Sequence, residues 1–149
     1  MAFPLSYSTA VSLASAAPQR DAAAALVRVQ DWLRGRRANT VPVGQLSLTF
    51  RVPFGRAGWD ILAGIDGGRA YVSPNVADIQ AVAEFSFKRF FIISGTMAAV
   101  LGVLATAYIG LAAAVLVAAL AWAWIFGANY ALSVSRLRSR FARVVHGEI

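Results

Sequence analysis

Residues 90–135 are a run of 46 residues without one Asp, Glu, Lys or Arg. As a single straight helix the run would be about 69 Å long, at 1.5 Å rise per residue. The hydrocarbon core of a bilayer is about 30 Å thick and is crossed by about 20 apolar residues. The run is therefore expected to double back as two spans, 90–109 and 111–132, with the turn at Tyr108-Ile109-Gly110. Glycine reaches backbone angles closed to other residues, and a tyrosine ring suits the headgroup zone. Two alternatives stay open. One is a helical hairpin buried in a soluble core, for which a chain of 149 residues leaves little covering protein. The other is a hairpin that enters one leaflet and leaves on the same side, although each arm is long enough to cross.

Charge at the flanks sets the expected orientation. Lys88 and Arg89 precede the first span, Arg136, Arg138, Arg140 and Arg143 follow the second, and the turn carries no charge. Lys and Arg near span ends stay cytoplasmic. Both termini should then face the cytoplasm across a bacterial inner membrane, or the matrix or stroma across an organelle inner membrane. Composition agrees: 58% of residues are hydrophobic and 14% charged, against about a quarter charged in soluble domains.

Small residues recur every fourth position in the first span: Ser94, Ala98, Gly102, Thr106 and Gly110. Residues so spaced share a helix face, and in lipid helices associate through close approach across such faces. With a turn at Gly110, Thr106 should face Ala114, Gly102 should face Ala118, Ala98 should face Trp122, and Ser94 should face Phe126. The second span carries another ridge, Ala119, Ala123, Gly127 and Ala131, continued by Ser135. One hairpin cannot use both, so the spare ridge is expected to meet a partner subunit or a second copy. The competing reading is that an alanine-rich sequence aligns small residues by chance. Asn129 is the one strongly polar side chain of the second span, and a bond to nearby backbone is its simplest role. No ionisable residue lies in either span, which argues against an ion pathway or proton relay.

The rest of the chain is expected to form an extended arm (1–18), a small α+β domain on the cytoplasmic side (19–89) and a basic amphipathic tail (133–149). Residues 21–34 place Ala22, Ala25, Leu26, Val29, Trp32 and Leu33 at helical spacing, with Gly35 as the stop. Arg34, Arg36 and Arg37 follow as a basic cluster. It suits anionic headgroups, at about 1 kcal/mol per charge near the surface, or equally the negative end of the helix dipole. Residues 46–52 alternate as a strand. Residues 59–65 and 69–73 read as two more, joined at Asp66-Gly67-Gly68, so a three-stranded antiparallel meander is expected. Ser73-Pro74-Asn75 reads as a helix start, with a helix over 76–89 running on into the first span. In the tail, Leu137, Phe141 and Val144 share one side, and Arg136, Arg140 and Arg143 another.

Chemistry is sparse. With no cysteine and the single histidine His146, disulfides, thiol nucleophiles and multi-histidine metal sites are excluded. Residues 64–68 lack the Lys-Ser/Thr of a P-loop. Asp60 and Asp66 are the only candidate acid/base pair, and both sit where aspartate favours turns. No cofactor, metal or nucleic-acid role is expected. The fitting class is a non-catalytic accessory or assembly subunit of a larger membrane complex, with lipids and other membrane subunits as partners. A membrane-shaping or tethering hairpin and a membrane-anchored ligand-binding or regulatory domain are the alternatives.

Overall fold

A computed structural model describes residues 5–13, 18–54, 62–74 and 79–148. The chain runs β1 (Ser6–Leu13), α1 (Pro18–Gly35), β2 (Asn39–Gly44), β3 (Ser47–Arg51), β4 (Gly67–Pro74), β5 (Ile79–Ser86) and α2 (Lys88–Ile109). A second long helix follows as α3 (Leu111–Trp122), a π-helical segment (Ala123–Ala128) and α4 (Asn129–His146). The strands form one antiparallel sheet in the order β1-β5-β4-β3-β2. The N-terminal unit is thus a small α+β domain, and two long apolar helices follow it.

Several expectations about this domain are corrected. The sheet has five strands, not three. Residues 79–86 are a strand, so no helix runs through them into α2. The reason is visible in the alternation. Ile79, Ala81, Ala83, Phe85 and Phe87 share one face, with Ala81, Ala83, Phe85 and Phe87 fully buried, while Gln80, Glu84 and Ser86 take the other. Period two outweighs a looser helical pattern once neighbouring strands are available. Ser73 and Pro74 end β4 rather than start a helix; Asn75 lies outside the described residues. Of the strand expected over 59–65, residues 62–64 are a turn and Ile65 is buried beyond it, while 59–61, with Asp60, lie outside the described residues. The stretch 6–13 of the expected arm is the edge strand β1, paired along its length with β5.

Register aligns the core. Thr9, Ala83, Ala70 and Leu48 lie in one cross-strand row, and all are buried. In the next row Phe50 and Phe85 meet edge to face at 5.7 Å across Gly68. A Cβ at Gly68 would strike the Glu84 carbonyl oxygen and come within 3.0 Å of the Phe50 ring. The position demands glycine for close approach, not for a hairpin turn. Helix α1 lays Ala22, Ala25, Leu26, Val29 and Leu33 on this face.

The C-terminal tail closes the same core. Leu137, Phe141, Val144 and Val145 of α4 are buried within it. Arg28 of α1 donates to the Val145 carbonyl oxygen from Nη2 at 2.6 Å and from Nε at 3.2 Å. A cation at a helix C-terminus also complements its dipole. The amphipathic face read from the sequence covers the domain's own core.

Candidate functional site

The long helices leave the domain at one end of the sheet, marked by the cross-strand row Ser6, Ser86, Gly67, Arg51 and Asn39. Lys88 and Arg89 follow this row in sequence, and Arg36 and Arg37 precede it. One end of the domain therefore collects cations. Arg34 donates from Nε to Thr40 Oγ1 at 3.0 Å. Arg37 is the one described non-glycine residue at positive φ, 55°. Helix α1 ends at Gly35 as the sequence implies, yet the left-handed position is Arg37, followed by a bond from Ala38 N–H to Leu33 O at 2.9 Å. Arg136, Arg138 and Arg143 are exposed along α4, and Arg140 is half-buried.

Asp66 joins sheet to helix. Its Oδ2 accepts from the Arg89 backbone N–H at 2.8 Å and from Ser86 Oγ at 3.3 Å. The first turn of α2 has unpaired N–H groups, and Asp66 caps one from a distant segment while matching the positive end of the dipole. Asp66 Oδ1 is buried and has no hydrogen-bond partner among the described residues; Arg89 Nε faces it at 3.5 Å as an ion pair. Arg89 Nη1 donates to Val52 O at 3.3 Å, and the guanidinium lies 5.7 Å from the Phe54 ring. Of the two aspartates considered from the sequence, Asp66 caps α2, and Asp60 lies outside the described residues. Beside it opens a cleft of about 170 Å³ lined by Phe54, Ala63, Gly64, Asp66, Arg89, Phe90 and Ile93.

Aromatic rings lock the helices together just beyond this point. Phe126 meets Phe90 at 5.8 Å, Phe91 at 5.3 Å, Trp122 at 5.5 Å and Tyr130 at 5.6 Å. Tyr130 meets Phe87 at 5.0 Å, which ties the cluster to the sheet. Farther along, small residues take over. Ser94, Ala98, Gly102 and Ala114 are buried, Ala118 is half-buried, and Thr106 and Gly110 are exposed near the turn. A Cβ at Gly102 would lie 2.8 Å from that of Ala118. Gly110, at φ 77°, breaks the helices apart.

The π segment, Ala123–Ala128, lies in this seam. Inward positions fall every fourth residue: Ala114, Ala118, Trp122, Phe126, Tyr130 and Val134. In an α-helix each four-residue step gains about 40°, about 200° over this stretch. A turn holding more residues takes back part of that drift. Asn129 Nδ2 donates to Ile125 O at 2.7 Å beside it. The spare ridge stays uncovered: Ala119, Ala123, Gly127, Ala131 and Ser135 are all exposed.

On the open face of the sheet, Arg69 grips Glu84 through Nε at 2.8 Å and Nη2 at 3.0 Å, and Tyr71 donates to Glu84 Oε1 at 3.1 Å. The Arg69 hydrogen bonds hold the Glu84 carboxyl below its ordinary range, and burial, with the bond to Glu84, raises the Tyr71 hydroxyl. This is a cross-strand pair of the kind that steadies sheets. Among the described residues no three His, Asp or Glu side chains gather as a metal site would require. Comparison with protein families, with curated proteins and with solved structures finds no match.

Proposed function

We propose that the chain is an integral membrane protein without catalytic activity of its own, acting as an accessory or assembly subunit of a larger membrane complex. One observation carries the reading. Both long helices have the length and apolarity to cross a bilayer, yet only 17% and 11% of their apolar windows are buried. A core helix of a soluble protein is mostly buried. Here Val103, Leu104, Leu111, Val115, Leu116, Leu120 and Trp124 stand exposed, and acyl chains are the solvent that suits them.

The uncovered ridge supports the subunit role. No atom lies within 4 Å of a Cβ placed at Gly127, so that stretch is open to another helix. Basic side chains Arg34, Arg36, Arg37, Lys88, Arg89 and Arg136 would rest among anionic headgroups, with both termini on the cytoplasmic side, while Arg138, Arg140 and Arg143 rise with α4 along the domain. Gentle extraction of the tagged chain from its native membrane tests the reading. A stoichiometric complex is expected, weakened by Gly127→Leu. A lone chain after mild extraction, or co-purification unchanged by Gly127→Leu, would contradict it. Self-oligomers that tubulate liposomes would instead favour the membrane-shaping alternative.

A further inference from the structure

The geometry points to the cleft at the start of α2 as a binding site for one phospholipid with a phosphoethanolamine headgroup. The inference rests on the membrane-spanning reading of the hairpin. Helix α2 has 22 residues, about 33 Å, so nearly all of it fits within a hydrocarbon core of about 30 Å. That places Phe90 at the hydrocarbon boundary, Arg89 and Asp66 at the phosphate level, and Ile93 one turn deeper. The cleft is polar at its outer end and apolar at its inner end, as an amphiphile requires. At about 170 Å³ it matches a headgroup, with the acyl chains lying outside along Phe90 and Ile93.

Charge selects the headgroup. Among the described residues the cleft is lined by one cation and one anion, Arg89 and Asp66, paired loosely at 3.5 Å. The Arg89 side chain is 37% exposed, and among the described residues its Nη2 has no acceptor. A phosphate oxygen would supply one, in a charge-assisted bond. Asp66 Oδ1 lacks a donor, and a small rotation of Arg89 toward phosphate uncovers it for an ammonium. A primary ammonium brings three N–H donors; a quaternary one brings none. A purely anionic headgroup would satisfy Arg89 and meet repulsion at Asp66. The zwitterion with N–H donors answers both groups together.

The test uses the full chain, purified and delipidated in detergent, with native mass spectrometry of added dioctanoyl phosphatidylethanolamine, phosphatidylcholine or phosphatidylglycerol. One molecule of the ethanolamine lipid is expected per chain, bound about tenfold more tightly than the choline lipid, the gain of one charge-assisted hydrogen bond. Asp66→Asn keeps an oxygen to cap α2 and should abolish that preference. A Cβ at Gly64 would sit 3.6 Å from the Phe90 ring, an ordinary contact, so Gly64→Leu should fold, fill the cleft and cut binding about tenfold. Equal binding of the ethanolamine and choline lipids, undiminished binding by Gly64→Leu, or displacement by millimolar inorganic phosphate would each overturn the assignment. Membrane retention under alkaline carbonate is followed in parallel. Retention without lipid preference defeats this proposal alone; release of the unaltered chain defeats the membrane reading beneath it.

Discussion

Gly102 and Gly127 lie on apolar helices in opposite surroundings. Gly102 is buried against Ala118, and even a Cβ there would approach to 2.8 Å. Gly102→Leu should force the helices apart and cost about 1–3 kcal/mol, the range for overpacking, read as a lower unfolding midpoint in detergent. Gly127→Leu should leave that midpoint unchanged, because nothing lies near its Cβ position. Arg37 makes a different case. Its φ of 55° is strained for a residue with a Cβ and comfortable for glycine. Arg37→Gly should stabilise the domain by about 0.5–1 kcal/mol and weaken its binding to vesicles containing anionic lipid. Stabilisation with unchanged vesicle binding would remove Arg37 from the headgroup contact.

Among elements, α4 has the widest reach. It leaves the apolar hairpin and completes the core of a domain that precedes that hairpin in sequence. Phe141→Ala should cost about 3–5 kcal/mol, the range for buried aromatics, and should unfold the sheet domain rather than the hairpin. Amide exchange in β4 and β5 would report it; faster exchange confined to α4 would contradict it. This docking was only half legible in the sequence. The spacing of Leu137, Phe141 and Val144 announces a buried face, but nothing in it says what covers that face. Strand β5 is ambiguous in the sequence for a related reason: Val76, Ile79, Val82, Ala83 and Phe87 fit a helix loosely, while Ile79 to Phe87 fits period two closely. Strand β1, rich in Ser and Thr, becomes a strand only because β5 offers an edge. The break at Gly110 was legible, since length, charge and glycine agree there. The Asp66 cap was not, because a bond between residues 66 and 89 leaves no local pattern.

At the scale of the whole molecule, domain and hairpin are tied at several points. Asp66 caps α2, the aromatic cluster joins both long helices to Phe87, and α4 returns to α1 through Arg28. The second long helix has 36 residues, about 54 Å, against about 33 Å for α2. The excess is the part that packs on the domain. Such a molecule would hold its sheet at a set height above the bilayer, with the cationic end of the sheet turned toward the headgroups. On the proposed membrane reading, the open ridge would lie within the bilayer, where another helix could reach it.

On the proposed reading both arms cross a bilayer, with the ends on one side and the turn on the other. The chain has no cysteine, so single cysteines placed by Tyr108→Cys or His146→Cys report accessibility without background. Intact cells are treated with a membrane-impermeant maleimide before and after permeabilisation. The Tyr108→Cys chain should be labelled in intact cells, and the His146→Cys chain only once the membrane is opened. If both positions are protected together until permeabilisation, or both react from outside, the two-span hairpin is contradicted.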